Sequence, residues 1–385
     1  VSVTASIEER IAGLTPRIRA AAERIEQGRR LPGDLVAALA EAGAFRLCVP
    51  QSLGGLEVDV ATLLRVIEAV AIADGSAGWC VMIGATTGVV SAYLEPTIAH
   101  QVYADPLAVT GGVFAPQGRA VAAEGGYRVS GRWSFASGCQ HCAWLMGGCV
   151  VLEDGKPRIR RDGQPETRMF LFPAAEARIH DTWAVAGLCG TGSHDIEIHD
   201  AVVPGERSVA LGFDRPHHEG ALYRFPVFGL LAIGIAAVAI GIARDAIGEL
   251  TRLALAKKPT SSSRRLADRG TVQAEIARAE ADVRAAAAFL FDAVGRASEE
   301  ARSGAISTAS RVGLRLAASH ATQASAMSVR RMYETGGGTS VYATSRLQRH
   351  FRDVHVATQH LMVAPSSWEL AGRVLLGLDS DISQL

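Results

Sequence analysis

The chain has 385 residues, 48% of them hydrophobic and 20% charged, and Lys plus Arg (39) equals Asp plus Glu (39). That much apolar material builds a large core and excludes intrinsic disorder. A zero net charge argues against nucleic acid or an anionic membrane surface as a partner, and 6% aromatics amid abundant Ala and Gly point to closely packed helices.

The opening VSVTASIEERIAGL is polar and amphipathic, unlike a secretory leader. The first 105 residues read as helical. IEERIAGLTPRIRAAAERIEQ has apolar residues at helical spacing, and a second helix starts after Pro32. Two more follow in VDVATLLRVIEAVAIADGSAGWCVMIGATTGVVSAYL, divided around Asp74-Gly75, with a loop at Gly54-Gly55 before them.

The texture changes near Pro106. To about Phe213 the chain runs in short alternating, Gly-rich segments: AVTGGVF, GGYRVSGRWSF, AWLMGGCVVL, RMFLFPA, ARIHDTW and HDIEIHDAVVP. Turns are expected at Gly125-Gly126, Asp154-Gly155 and Asp162-Gly163, so six or seven strands form a compact barrel or sandwich. Helical texture returns after Tyr223. The uncharged run Phe225–Ala243 is at the lower limit for a membrane span, but it contains Pro226 and Gly229, Gly234 and Gly241, and reads as the buried centre of a bundle. Two long helices follow the polar loop PTSSSRRLAD, and another begins near Ser345. The expected organisation is a helical domain (1–105), a β domain (106–213) and a C-terminal helical bundle (214–385).

Phosphate-loop, HExxH and GxSxG motifs are missing from the sequence. Cys139-Gln-His-Cys142 lacks the second ligand pair that a closed zinc site needs, so no metal is expected there. The six cysteines, Cys48, Cys80, Cys139, Cys142, Cys149 and Cys189, read as reduced and the protein as cytoplasmic. His141, His180, His194, His199, His217, His218 and His320 read as surface or packing residues.

Three segments are informative as a set: Gly131-Arg-Trp-Ser-Phe-Ala-Ser-Gly138, Gly187-Leu-Cys-Gly-Thr-Gly-Ser-His194 leading to Val203-Pro204, and Arg346-Leu-Gln-Arg-His-Phe-Arg-Asp-Val-His355 continuing to Gln359-His360. With these residues the whole chain resembles the acyl-CoA dehydrogenase superfamily. The resemblance implies its fold: mainly α with a central β domain, between an N-terminal helical domain and a C-terminal four-helix bundle. Within that superfamily the chain looks most like the flavin-dependent monooxygenases, the oxygenase components of two-component hydroxylases. A dehydrogenase needs a carboxylate base against its thioester. Neither DVHVATQHLMVAP (353–365) nor Phe225–Ala243, where the family places that Glu, contains one, and His360 stands almost where one of them would be.

What the resemblance implies is concrete. Reduced FMN or FAD would come from a separate NAD(P)H:flavin reductase and meet O₂ to give a C4a-hydroperoxide. One oxygen would pass to a small aromatic, phenolic substrate in a homotetramer. Ser137 would contact the flavin N5 and Phe135 would pack on its ring, matching the dehydrogenases' Trp-x-Thr. Thr191 and Ser193 would meet the ring edge or phosphate. Arg264 and the Gly336-Gly337 turn would face a neighbouring subunit's cofactor. An imidazole of near-neutral pKa suits a phenol, so His360 is the expected catalytic residue, with His355 a second candidate. On one helix these two would point about 140° apart. The other readings left open are a dehydrogenase with an unusual base, an N- or S-oxidising enzyme of the same fold, and a non-catalytic binding protein.

Overall fold

The computed structural model describes residues 5–260 and 262–385. Among these, five α-helices precede the first strand: α1 (Ile7–Gly28), α2 (Gly33–Glu41), α3 (Val60–Ala73), α4 (Gly75–Thr87) and α5 (Pro96–Val102). The capping box at Ser6 starts α1: Ser6 Oγ accepts from the Glu9 amide while the Glu9 carboxylate accepts from the Ser6 amide. Asp74 separates α3 from α4. Its backbone is extended (φ −158°, ψ 127°), which ends one helix, and its carboxylate accepts from the Ala77 amide at 3.0 Å, which begins the next. Gly78 lets α4 lie against α3, where a Cβ would be 2.6 Å from that of Ala71.

The strands are β1 (Thr110–Ala123), β2 (Gly126–Ala136), β3 (Trp144–Glu153), β4 (Lys156–Pro157), β5 (Thr167–Pro173), β6 (Arg178–His180), β7 (His194–Val203) and β8 (Ser208–Val209). They form one sheet in the order β6-β7-β2-β1-β3-β5-β8, with β4 on β3; β1 and β3 are parallel and the other pairs antiparallel. The two-residue strands β4 and β8 were not foreseen, since segments that short carry no alternation to read. The sheet curls round Trp133, which is fully buried and donates its indole N–H to the Gly148 carbonyl at 2.7 Å. Gly118, Gly131 and Gly147 leave its ring the space: a Cβ on any of them would stand 2.4–2.7 Å from it.

The remaining helices are α6 (Val227–Ala256), α7 (Gly270–Ser303), α8 (Thr308–Gly336), α9 (Arg346–Ala357) and α10 (Pro365–Leu375). The apolar run lies in α6, whose faces are covered by α3, α4, α7, α8 and α9. Gly241 brings it against the backbone of α3, where a Cβ would be 2.7 Å from the Glu68 carbonyl. Asp245 on α6 is buried among Arg19 Nη2 (2.7 Å), Arg346 Nη2 (2.9 Å) and His350 Nε2 (2.7 Å). Burial alone would raise its pKa, but His350 above all, then Arg346 and Arg19, hold it far below the usual range. This carboxylate ties α1 and α9 to the central helix.

Candidate active site

The site begins where β2 breaks its register with β7, between Trp133 and Ala136. Phe135 takes a positive φ of 68°, rare for a bulky residue, and its side chain is 68% exposed. Its ring rests edge-on against Trp183 (centroids 6.1 Å apart). The chain then turns inward: the Ser137 amide donates to the Phe135 carbonyl at 2.9 Å, and the Ser137 side chain is buried.

The glycine-rich segment after Gly187 forms the facing turn. Leu188 and Gly192 both lie in the left-handed region (φ 50° and 52°), and the Gly138 amide donates to the Thr191 carbonyl at 2.8 Å, joining the two turns. Gly190 seats the turn on α1, where a Cβ would be 2.0 Å from Ile25 Cγ2.

Between the turns runs a line of hydroxyls. Trp79 Nε1–H donates to Ser137 Oγ at 3.0 Å. Ser137 Oγ lies 2.7 Å from Ser193 Oγ, which lies 2.7 Å from Thr191 Oγ1, and Thr191 donates to the Leu188 carbonyl at 2.9 Å. The Leu188 amide in turn donates to Asp353 on α9. Trp79 supplies the other connection, because its ring packs on His360 with centroids 5.8 Å apart. Ser137, Thr191, Ser193 and His360, read from three separate segments, thus share one site.

His360 departs from expectation in two ways. It is not on the helix with His355: α9 ends at Ala357 and His360 lies in the following turn, so the 140° argument does not apply. Its pKa is not near neutral either; burial first, and then the charge of Arg315, bring it down to about 4. Its Nδ1 accepts from the Met362 amide at 3.2 Å, so the neutral ring carries its proton on Nε2. His355 is elsewhere. Its ring packs on Phe351 (4.3 Å), its Nδ1–H donates to the Phe351 carbonyl at 2.6 Å, and Phe351 stacks on Tyr333 of α8.

Arg264, Gly336 and Gly337 form no direct contact with this group. Arg264 is in an exposed loop after α6, and the glycines close α8, where Lys257 Nζ donates to the Gly336 carbonyl at 3.1 Å. Of the CxxC pair, Cys139 Sγ donates to the Gly192 carbonyl and Cys142 Sγ to that of Gly138, so both thiols brace the turns.

Two buried carboxylates come near the site, and both are engaged by backbone: Asp74 by the Ala77 amide and Asp353 by that of Leu188. The arrangement suits a planar heteroaromatic cofactor. An aromatic ring held outward at a strained φ offers a flat face, and the adjacent Ser137 hydroxyl offers a polar contact for a ring edge. Sequence reasoning missed Trp79. The signal was available, since a buried indole N–H needs an acceptor, and Trp79 is the one aromatic side chain in α4.

An acyl-CoA dehydrogenase N-terminal domain model matches residues 12–97 and a C-terminal domain model matches residues 233–365. The chain is 33% identical to an indole-3-acetate monooxygenase from Pseudomonas putida, over 94% of this chain and 91% of that protein. It is 31% identical to the flavin-dependent monooxygenase oxygenase subunit HsaA of Mycobacterium tuberculosis, over 92% and 91%. Its fold superposes on XiaF from Streptomyces sp., solved in complex with FADH2 and glycerol, with a TM-score of 0.88 at 25% identity over 98% and 96% of the two chains.

Proposed function

Because this chain belongs to the flavin-dependent monooxygenase branch of the acyl-CoA dehydrogenase superfamily, and so uses reduced flavin and O₂, we propose that it hydroxylates a small aromatic compound bearing an oxygen that accepts a hydrogen bond. It is an oxygenase component, and its reduced flavin comes from a separate reductase. When bound, the flavin would supply the activation of O₂, which is the source of the oxygen atom transferred.

The protein's part is positioning. Phe135 would carry the face of the isoalloxazine and Ser137 its edge, with Ser193 and Thr191 holding Ser137 in place. The observation that carries the reading is the bridge through Trp79, whose ring touches His360 while its N–H reaches Ser137. His360 then stands on the substrate side of the same site. With Nδ1 occupied by the Met362 amide, His360 presents Nε2–H as a donor. A phenolic or carboxylate oxygen is its natural partner, and that bond fixes which ring carbon faces the flavin. The buried Asp74 and Asp353 each hold a backbone amide through Oδ1, that of Ala77 and that of Leu188, which gives both a structural role.

We assign the second group, Arg264 with Gly336 and Gly337, to the cofactor of a neighbouring subunit in a tetramer. Light scattering on the purified protein tests the assembly.

The test of the reaction supplies reduced flavin from a reductase with a panel of phenols and indole-3-acetate, which the similarity to the Pseudomonas putida protein puts first. Products carrying one atom from isotopically labelled O₂ are expected. Absence of such products, with bleaching of the oxidised flavoprotein by an anaerobic acyl-CoA, would replace this reading with a dehydrogenase.

A further inference from the structure

The hydroxyl line has a direction, and the direction is fixed at both ends. The Trp79 indole N–H can only donate, and the Leu188 carbonyl can only accept. Thr191 spends its proton on Leu188 at 2.9 Å. Its 2.7 Å contact with Ser193 therefore takes the Ser193 proton, and the 2.7 Å contact between Ser193 and Ser137 takes the Ser137 proton. All three side chains are buried, so water does not offer an alternative partner. Ser137 is left with one open lone pair and no proton to give.

We infer that this one-way relay, running from Trp79 through Ser137, Ser193 and Thr191 to the Leu188 carbonyl, makes the site discriminate between the redox states of its flavin. The inference rests on the reading of Ser137 as the residue at the flavin N5. Reduced isoalloxazine carries N5–H, a donor that the open lone pair of Ser137 accepts. Oxidised isoalloxazine offers only a lone pair at N5, and Ser137 has nothing to donate to it. Ser193 and Thr191 are then positioning residues: they touch no reacting atom but set what Ser137 offers. The reduced cofactor is retained and the oxidised one released.

The test measures the Kd of reduced and of oxidised FMN and FAD anaerobically, by absorbance and fluorescence, without turnover. Wild type is expected to bind the reduced form at least about tenfold more tightly, the worth of one hydrogen bond. For a two-electron couple that is a rise of about 30 mV in the potential of the bound flavin. Thr191→Val removes the hydroxyl that fixes the direction while keeping the shape. Ser193 can then donate to Ser137, Ser137 can turn its proton to N5, and the oxidised-to-reduced Kd ratio falls by about tenfold. Thr191→Ser keeps the hydroxyl and keeps the ratio. Ser193→Ala frees the Ser137 proton by a second route and should also lower the ratio, which covers a failure of the valine variant to fold. If Ser137→Ala changes neither Kd, the placement of Ser137 at N5 is wrong. If Ser137→Ala weakens reduced flavin while Thr191→Val and Ser193→Ala leave the ratio unchanged or higher, the placement stands and the relay inference is overturned.

Discussion

Asp353 on α9 accepts a hydrogen bond from the amide of Leu188 at 2.5 Å, joining two residues 165 apart in sequence. Leu188 is a non-glycine residue at φ 50°, and its carbonyl receives both the Thr191 hydroxyl (2.9 Å) and the Trp183 indole N–H (3.1 Å). A carboxylate from the helical bundle thus holds the strained residue on which the hydroxyl relay ends. That is a physical role for the Asp of the Arg346–His355 segment, which the sequence offered only as part of a family resemblance.

The same carboxyl predicts a pH dependence. Burial pushes Asp353 up to about 7 from an ordinary value of 3.8; the Leu188 amide opposes the rise and the charges of Asp74 and Glu26 add to it. Folded Asp353 therefore binds its proton more tightly than unfolded Asp353. Its contribution is fully present below about pH 4 and is lost as pH climbs to about 7. Asp353→Asn keeps an acceptor oxygen and removes the titration. Urea melts of the two proteins should show their stability difference moving toward the Asn variant, by on the order of 1–3 kcal/mol, from pH 5 to pH 8. A pH-independent difference would contradict this.

His360→Ala removes the donor proposed for the substrate oxygen and leaves Ser137 and Phe135 in place. Hydroxylated product should fall by about 10²–10³-fold while flavin affinity changes little, and the reduced flavin should be spent on H₂O₂. Chromatography and peroxide assays on the same reaction read both. With a folded pKa of about 4, His360 stays neutral on acidification from pH 8 to 6, so no decline in product formed per reduced flavin is expected from its protonation over that range. A loss of coupling with an apparent pKa near 6.5 would show His360 acting as the more basic group first expected.

Gly187→Ala should uncouple the relay from α9. A Cβ there would lie 2.4 Å from the Arg352 carbonyl carbon, which is backbone and cannot swing aside. The turn must back away from Asp353, and the expected result is weaker flavin binding and a stability loss of about 1–3 kcal/mol. Flavin titration and thermal melts report the two effects separately.

Asp245→Ala leaves His350 and Arg346 packed around a missing anion. A loss of about 3–5 kcal/mol is expected by chemical denaturation. A neutral result would mean that the cluster is solvated, contrary to its burial.

Much of the fold could be read in the sequence because its signals are local. Asp74-Gly75 announces the break between α3 and α4, and the uncharged run marks the central helix. The family resemblance pointed to Ser137, Thr191 and Ser193 one by one. Their alignment could not, because it depends on Trp79 meeting the end of a strand across 58 positions, and α4, buried on every face, shows no periodicity to single out that side. His360 was misread for a local reason. The amphipathic pattern of α9 continues past Ala357, while the helix itself stops where Thr358 turns its hydroxyl onto the His355 carbonyl.

Helix α6 also constrains how the chain is made. It is covered from both directions in sequence, by α3 and α4 before it and by α7 and α8 after it. During synthesis it emerges with half of its coat already formed and the other half still in the ribosome. Translation stalled soon after Ala256 would leave a greasy rod with one bare side, the kind of surface that chaperones bind and that aggregates when they do not.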